Sequence, residues 1–275
     1  MLKVAIDLFA GTGGFSHGWI QAGGVIAVAV DVWDKALKNH EHNHPETPTL
    51  KMELGHYSIE YTAKILKRFL DCFEGEEIHI HIHGSPPCQD ISNASNGDPS
   101  NGMKLVLWFL ELVAYMKPDS WSMENVLPVA SRLPENVPFI RVNSADYGVP
   151  QNRRRVFAGV GWSLTPTHKK ENWVSVLQAI PSLEGCEFEA VPSMVNRWKN
   201  LTIKRPSPTI TSQSVGQIRI KSKEGVRGIS VQESSIIQGW DDLKFISTLT
   251  QSEKKIMVGN MVNPPIAKAI CEGIQ

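Results

Sequence analysis

The chain of 275 residues contains 28 Lys and Arg against 28 Asp and Glu, so its formal net charge is zero. With 41% hydrophobic residues and only 4 Cys, the composition excludes a disordered tail and a disulfide-stabilised miniprotein. The charge is unevenly distributed along the chain. Residues 151–230 contain 13 Lys or Arg and 5 Asp or Glu, whereas the rest of the chain contains 15 Lys or Arg and 23 Asp or Glu. The basic stretch indicates a surface that binds a polyanion.

The cysteine spacing and the apolar runs bear on where the protein resides. No C-x-x-C pair occurs among the cysteines, which stand at Cys72, Cys88, Cys186 and Cys271, so neither a zinc ribbon nor a redox motif is indicated. The amino-terminal residues lack the features of a signal peptide. No uncharged apolar stretch approaches the roughly 20 residues that a membrane span needs. These features predict a cytoplasmic protein without membrane association.

In residues 1–160, short apolar runs alternate with helical periodicity, as in a mostly parallel sheet covered by helices on both faces. Strands are predicted at residues 4–9, 25–30, 78–83 and 121–123, and helices at residues 15–22 and 105–116, the second ended by Pro118. After Trp162 the chain becomes basic, rich in Ser and Thr, and interrupted by prolines, which predicts a second lobe at about residues 161–249. Apolar periodicity returns over residues 253–270. The first lobe should therefore comprise residues 1–160 plus about 250–275.

A glycine-rich turn follows the first predicted strand. Gly11, Gly13 and Gly14 lie between that strand and a helix, where a ligand can approach the backbone at the positive end of the helix. Asp31 follows Gly11 by 20 residues and ends the next strand, a position from which a carboxylate binds ribose hydroxyls. The spacing is G-x-G-G, which suits a nucleoside better than a dinucleotide. The alternative is a tight turn without a ligand.

Two reactive groups follow later strands of the same sheet. The sequence GSPPCQ at residues 84–89 puts Cys88 after the third predicted strand, behind two prolines that fix the backbone. Glu124 follows the next strand, where a carboxyl group can donate a proton to a ring nitrogen. The sequence QNRRR at residues 151–155 supplies Arg153 and Arg155 for phosphates or a polarised oxygen. A lone Cys after a strand is more often a small buried hydrophobe, but this context favours a nucleophile.

Three histidines alternate along the third predicted strand, at His79, His81 and His83. Side chains two positions apart on a strand are about 7 Å apart, which is too far for two of them to share a zinc ion easily. We therefore interpret them as polar core or groove residues and predict no metal site.

Taken in order, these motifs resemble those of the cytosine-5 DNA methyltransferase family. The resemblance covers nearly the whole chain and rests on DLFAGTGGF at residues 7–15, GSPPCQ at 84–89, ENV at 124–126, Q-x-R-x-R at 151–155 and G-N-x-V at 259–262. Residues 227–233 resemble a late family motif but carry Ser230 and Gln232 where the family has Thr and Arg. The resemblance implies a Rossmann-like S-adenosylmethionine-dependent methyltransferase fold with a small, irregular target-recognition lobe.

The resemblance also implies a role for individual residues. S-adenosyl-L-methionine, which leaves as S-adenosyl-L-homocysteine, would be bound by Phe9, Gly11, Gly13, Asp31, Leu105, Asn260 and Val262. Cys88 would attack carbon 6 of a flipped cytosine, Glu124 would act at ring nitrogen 3, and Arg155 would contact the cytosine oxygen and support Glu124. Nucleic-acid contacts are implied for Gln89, Arg153 and Thr209, with Arg153 on the DNA backbone.

These implications predict a monomeric DNA (cytosine-5-)-methyltransferase that acts on double-stranded DNA, within a bacterial, archaeal or viral context. One alternative is a tRNA cytosine-5 methyltransferase, since one branch of the family acts on RNA. That branch usually carries a Cys-Phe-Thr tripeptide that this chain lacks. The other alternative is a binding module without catalysis, which should have lost Cys88, Glu124 or Arg155.

Overall fold

The computed structural model describes residues 1–87, 99–190, 201–212 and 217–274, with the backbone alone for residues 99–101. The strands in these ranges are, in chain order, Leu2–Leu8 (β1), Val25–Asp31 (β2), Thr49–Lys51 (β3), Ile78–Gly84 (β4), Ser120–Asn125 (β5), Phe139–Asn143 (β6), Gln151–Asn152 (β7), Arg154–Val160 (β8), Glu187–Ala190 (β9), Ser207–Pro208 (β10), Ile218–Ser222 (β11) and Gly225–Gly228 (β12). The helices are Gly14–Gln21 (α1), Asp34–Asn43 (α2), Ile59–Leu70 (α3), Pro99–Met116 (α4), Val176–Ala179 (α5), Val231–Ile237 (α6), Gln251–Asn260 (α7) and Pro264–Glu272 (α8).

Within the described ranges, the main sheet has seven strands in the order β3-β2-β1-β4-β5-β8-β6. The strands from β3 to β5 are parallel, and β8 and β6 close one side of the sheet in antiparallel pairing. Central strands such as β1 are buried along nearly their whole length, which explains their continuous apolar sequences. The predicted Rossmann-like methyltransferase fold is confirmed.

Within residues 1–160 the structure differs from the prediction in its boundaries and in added elements, among them the strands β6, β7 and β8. The first strand ends at Leu8, because Phe9 adopts a left-handed backbone conformation with φ of 58°. The helix that follows begins at Gly14, one residue before the predicted start. The elements α2, β3 and α3 lie between the second predicted strand and the histidine strand, where the pattern indicates only a helix end before Pro45.

The region predicted as the second lobe contributes Phe188, Ile220 and Trp240 to a second core of buried apolar side chains, which also includes Val258 and Met261 of the closing segment. Strands β9, β11 and β12 form an antiparallel sheet, and α6 begins with a capping box in which the Ser230 side chain accepts a hydrogen bond from Glu233 N. Glu233 also pairs with Arg227 through two bonds of 2.7 and 2.8 Å. Ser230 caps this helix as Thr would, so the departure from the family motif at residue 230 is conservative.

The end of the chain packs back on the first lobe. The helix α8 shares a buried core with α1, through Ile266 and Ile270 on one side and Phe15 and Trp19 on the other. A side chain at Gly14 would overlap the backbone carbonyl of Val262, so the G-N-x-V segment lies directly against the glycine-rich turn. Within the part of the chain that is described, no helix is both long and apolar enough to span a membrane.

Candidate functional site

The carboxyl ends of β1, β2, β4 and β5 meet at one edge of the sheet, which is where open α/β sheets bind ligands. The loop after β1 is fixed to the end of β2. Ala10 N donates to Val30 O at 3.0 Å, and Gly11 N donates to Asp31 Oδ2 at 2.8 Å. The other carboxylate oxygen of Asp31 accepts from Trp33 N at 2.8 Å. Since a carboxylate has about four acceptor positions, Asp31 can still bind two hydroxyl groups.

The two predicted cofactor glycines have different surroundings. Gly11 has a φ of 55°, and apart from its two chain neighbours none of the described residues lies within 4 Å of the place where its side chain would be. Gly13 has a φ of 96°, and a side chain there would lie 2.6 Å from His40 Cδ2. Gly11 therefore faces open space that a ligand can fill, whereas Gly13 is also required by the packing of His40.

The other predicted cofactor residues surround this turn unevenly. The Phe9 ring meets Trp108 edge-on at 6.3 Å, and its left-handed backbone is a strained conformation of the kind found at ligand sites. Leu105 on α4 is half-buried and packs against Gly55. Val262 is buried, whereas Asn260 is exposed at the end of α7. Phe9 thus contacts α4, which also carries Leu105, whereas Val262 lies against Gly14.

The end of β5 brings a carboxylate, a guanidinium and the segment that precedes Cys88 together. Arg155 Nε lies 3.0 Å from Glu124 Oε1, and Glu124 is 8% exposed. The adjacent Asn125 donates from Nδ2 to Pro86 O at 3.1 Å, which ties the GSPP segment to the same strand end. Cys88 and Gln89 lie outside the described residues. The structure thus holds the segment that leads to Cys88 beside Glu124.

The structure changes the interpretation of Arg153. Its side chain is 3% exposed, and its guanidinium donates to the carbonyls of Ile210, Gly259 and Met261 at 3.1, 3.2 and 3.3 Å. The guanidinium of Arg153 thus faces protein carbonyls in the interior, and its Nη2 atom also lies 3.9 Å from Glu124 Oε1. The contact with the DNA backbone stays a prediction. In this structure Arg153 joins the β7–β8 segment to Ile210 and to the end of α7.

Replacing Arg153 by Met should lower the free energy of unfolding by about 3 kcal/mol, because three buried carbonyls lose a charged donor. Urea denaturation followed by circular dichroism measures the change. The matched control is Arg154→Met, since Arg154 is exposed. Equal denaturation midpoints for the two variants would show that Arg153 does not hold the lobes together.

Two further residues of the predicted motifs join the lobes. Gln151 is fully buried, donates from Nε2 to Ile237 O and Gln238 Oε1, and accepts from Ile210 N. Thr209 donates from Oγ1 to Asn152 O at 2.9 Å, so it lies at the junction of β10 and β7. The sequence reasoning missed Gln238, which donates to Val258 O and pairs with Gln151, because no motif marks it.

The first lobe also contains several buried imidazoles. Burial lowers the pKa of His40 and His83 to about 3 and that of His44 to about 4, and it lowers the pKa of His81 well below its usual value. Burial has the opposite effect on Asp7, raising its pKa to about 7. Among the described residues, no three His, Cys, Asp or Glu side chains come close enough to hold a metal ion.

These shifts predict that acid destabilises the protein. The four imidazoles are neutral in the folded state but titrate near 6.5 once unfolded, so the stability that they contribute is present above pH 6.5 and is lost as the pH falls. Asp7 opposes this trend, because its stabilisation is present at low pH and is lost as the pH rises towards 7. Four groups outweigh one, so stability should fall by on the order of 3 kcal/mol from pH 6.5 to 5.5.

Urea denaturation at a series of pH values tests this expectation. Replacing the buried His44 by Gln should reduce the slope of the free energy of unfolding against pH by the equivalent of about one proton. Replacing the exposed His42 by Gln should leave that slope unchanged. A stability that is constant or rises from pH 6.5 to 5.5 would contradict the neutral state of the buried imidazoles.

Comparison with known proteins gives consistent matches over this fold. The family model for C-5 cytosine-specific DNA methylases matches residues 4–138. The chain is 28% identical to the type II methyltransferase M.HgiDI of Herpetosiphon aurantiacus, over 98% of this chain and 93% of that protein. It is 37% identical to M.HgiGI of the same organism, over 44% of this chain and 88% of that protein. The Entamoeba histolytica methyltransferase EhMeth has a similar structure, with a TM-score of 0.69 and 18% identity over 99% of this chain and 97% of that one.

Proposed function

This chain belongs to the C-5 cytosine-specific DNA methylase family, and we propose that it methylates carbon 5 of a flipped cytosine in duplex DNA through a covalent Cys88 adduct. Family membership makes it a DNA cytosine methyltransferase of the kind found in type II restriction-modification systems. The cofactor, the residue roles and the cytoplasmic location belong to the proposal. The observation that carries it is the pairing of Glu124 with Arg155 beside the anchored segment that leads to Cys88.

The first part of the proposal is that S-adenosylmethionine binds at the glycine-rich turn. The surroundings fit it, because Gly11 faces open space, Asp31 has acceptor capacity for ribose hydroxyls, and the Phe9 ring supplies an apolar face. Leu105, Gly13, Asn260 and Val262 complete the pocket in this proposal. When bound, the cofactor supplies an electrophilic methyl group and leaves as S-adenosylhomocysteine.

The second part concerns the cytosine. The Cys88 thiolate adds to carbon 6, which makes carbon 5 nucleophilic enough to take a methyl group. Glu124 stabilises the adduct by a hydrogen bond or proton transfer at ring nitrogen 3, and Arg155 orients Glu124 and contacts the cytosine oxygen. The target base must leave the stack, which costs a few kcal/mol that pocket and backbone contacts offset.

The third part concerns DNA recognition. We assign the catalytic lobe to residues 1–160 plus about 250–275 and the recognition lobe to about residues 161–249. The second region contains exposed cations that can contact phosphates, among them Lys169, Lys204 and Arg219. Gln89 is assigned to a nucleic-acid contact, and Thr209 to a position near the flipped nucleotide. We treat the protein as a monomer on double-stranded DNA.

Bisulfite sequencing of duplex DNA incubated with the purified protein and S-adenosylmethionine tests the proposal. Cytosines in one short sequence context should become protected from conversion, and protection should require the cofactor. Protection of cytosines in tRNA but in no DNA context would replace the proposed substrate by RNA. Cofactor-independent binding of DNA without any protection would indicate a binding module.

A further inference from the structure

A continuous row of hydrogen bonds runs through the sheet to the segment that precedes Cys88. The contacts join imidazole nitrogens to serine hydroxyls at 2.7–3.0 Å. We name this row the histidine-serine ladder; its members, in order, are His79, Ser120, His81, Ser122, His83 and Ser85. It runs from the amino end of β4 to the edge of the sheet where the carboxyl ends of β1, β2, β4 and β5 meet. We call this the catalytic edge.

The ladder is a consequence of strand register. The parallel pairing of β4 with β5 puts Ser120 opposite His81 and Ser122 opposite His83. Each hydroxyl fills the gap of about 7 Å between successive imidazoles on one face of β4, so it bonds to a ring on either side. A slip of one residue would turn the serines to the other face and break every contact.

The middle of the ladder is shielded from water. His81, His83, Ser120 and Ser122 are fully buried. Aromatic rings of α1 cover the imidazoles, since the Phe15 ring stacks on His83 at 3.7 Å and the Trp19 ring stacks on His81 at 4.8 Å. The burial that lowers the pKa of both histidines keeps their rings neutral.

Because the rings are neutral, the hydrogen bonds of the ladder are all donated in one direction along it. A neutral imidazole has one donor and one acceptor nitrogen, so it can accept a proton at one nitrogen while it gives one up at the other. A hydroxyl between two rings donates to one and accepts from the other. The whole row can therefore point towards Ser85 or towards His79, and the passage of a proton along it converts one direction into the other.

The proposed reaction must dispose of a proton. A methyl group replaces the hydrogen on carbon 5, and the electron pair of the broken carbon–hydrogen bond re-forms the 5,6 double bond as the Cys88 thiolate leaves. One proton is released for each methyl group transferred. Ser85 lies three residues before Cys88 in the sequence and ends the ladder on that side.

We propose that the histidine-serine ladder conducts this proton from the catalytic edge to the opposite end of the sheet; the inference rests on the function proposed above. The Ser85 oxygen takes up the proton and passes its own to His83 Nε2, and the transfer is repeated at each contact as far as His79. Burial lowers the pKa of His79, the exposed carboxylate of Asp119 opposes this by favouring the protonated ring, and the Lys3 ammonium acts with burial. His79 therefore gives the proton up to water. The groups then turn or exchange protons with water before the next turnover.

Two charged side chains of β1 beside the ladder have hydrogen-bond partners outside it. On β1, Lys3 is paired in register with His79 and Asp7 with His83. Lys3 Nζ donates to Cys271 O at 2.6 Å, and Asp7 accepts from Ser16 Oγ at 2.6 Å. The ladder therefore connects only uncharged hydroxyls and rings between its two ends.

Single-turnover kinetics on duplex DNA that carries [5-³H]cytosine tests the conduction. Methyl transfer and the release of tritium into water are measured in the same reaction with wild-type protein and with Ser120→Ala and Ser122→Ala. In both variants the release of tritium should lag behind methyl transfer, with a rate about 10-fold lower than in the wild type. The control, Ser235→Ala, removes an equally buried hydroxyl from α6 and should show no lag.

A positioning role gives a different pattern. If the ladder only holds the GSPP segment in place, both rates should fall together, and Ser122→Ala, which is nearer to Ser85, should be affected more than Ser120→Ala. That pattern, or unchanged rates in both variants, would overturn the conduction proposal. Binding of S-adenosylhomocysteine and thermal melting show whether the variants fold.

A second measurement on wild-type protein remains valid if the variants do not fold. Nitrogen-15 NMR of the histidine rings should show His81 and His83 with the proton on the same kind of ring nitrogen, as a single direction requires. Opposite tautomers at the two rings would overturn the proposal. If the wild-type protein shows this common tautomer but methylates no DNA, the proposed function is refuted. The NMR result would still show that the hydrogen bonds of the ladder share one direction.

Discussion

Replacing Cys88 by Ala should abolish methyl transfer, with a rate reduced by at least about 10⁴-fold, while S-adenosylmethionine binding stays within about twofold of the wild type. Without the thiolate, no bond forms at carbon 6 and carbon 5 does not become nucleophilic. The residues proposed to bind the cofactor belong to other segments, chiefly Phe9, Gly11 and Asp31, so cofactor binding should persist. Incorporation of labelled methyl groups into duplex DNA measures the rate, and calorimetry measures cofactor binding.

The matched control is Cys72→Ala. Cys72 is an exposed free thiol in the turn after α3, outside the proposed catalytic and binding residues, so its loss should leave the rate unchanged. Normal methylation by Cys88→Ala would rule out the covalent mechanism. Loss of both methylation and cofactor binding in that variant would show that Cys88 stabilises the fold at the catalytic edge of the sheet and would refute its role in methyl transfer.

The prediction for Cys88 depends on how the structure holds the segment before it. Ser85 N donates to Leu8 O at 3.2 Å, and Asn125 Nδ2 donates to Pro86 O, so the segment is tied to both β1 and β5. Pro86 and Pro87 fix their own φ angles and limit the freedom of the residues before them. The backbone that leads to Cys88 is therefore anchored to the carboxyl ends of β1 and β5.

Much of the first lobe could be predicted from local sequence. The apolar runs of β1 and β2, the alternation of β4 and the periodicity of α4 are signals within one element, and they predict which residues follow the strand ends. The strand β3 has only three residues, too few for any period to be recognised. The helix α3 carries apolar residues at helical spacing, with Ile59, Ala63 and Leu66 buried, and its pattern could have been found.

The roles that local sequence could not predict depend on contacts between distant segments. Arg153 and Arg155 look alike in the motif, and their guanidinium groups lie 3.9 and 3.0 Å from Glu124 Oε1, yet Arg153 also donates to carbonyls 57 to 108 positions away. The alternation of the three histidines is visible in the sequence. Their connection through Ser120 and Ser122 depends on the register of β4 against β5, which neither strand specifies alone.

Replacing Glu124 by Gln should reduce the methyl-transfer rate by about 10²- to 10⁴-fold, because an amide cannot supply a carboxyl proton to ring nitrogen 3 of cytosine. The substitution keeps the shape of the side chain, so the loss should appear in the rate and not in cofactor binding. The control is Glu135→Gln, which changes an exposed carboxylate in the same way and should leave the rate unchanged. An unchanged rate in Glu124→Gln would remove Glu124 from the role proposed for it.

The pairing with Arg155 makes a stronger test possible. Arg155 Nε lies 3.0 Å from Glu124 Oε1, so removal of the carboxylate charge also releases the guanidinium from its position. If the two side chains act as one unit on the cytosine, Arg155→Gln should lose much of the rate alone and little more when combined with Glu124→Gln. Rate losses that multiply in the double variant would mean that Arg155 and Glu124 act independently, and that Arg155 does not orient Glu124.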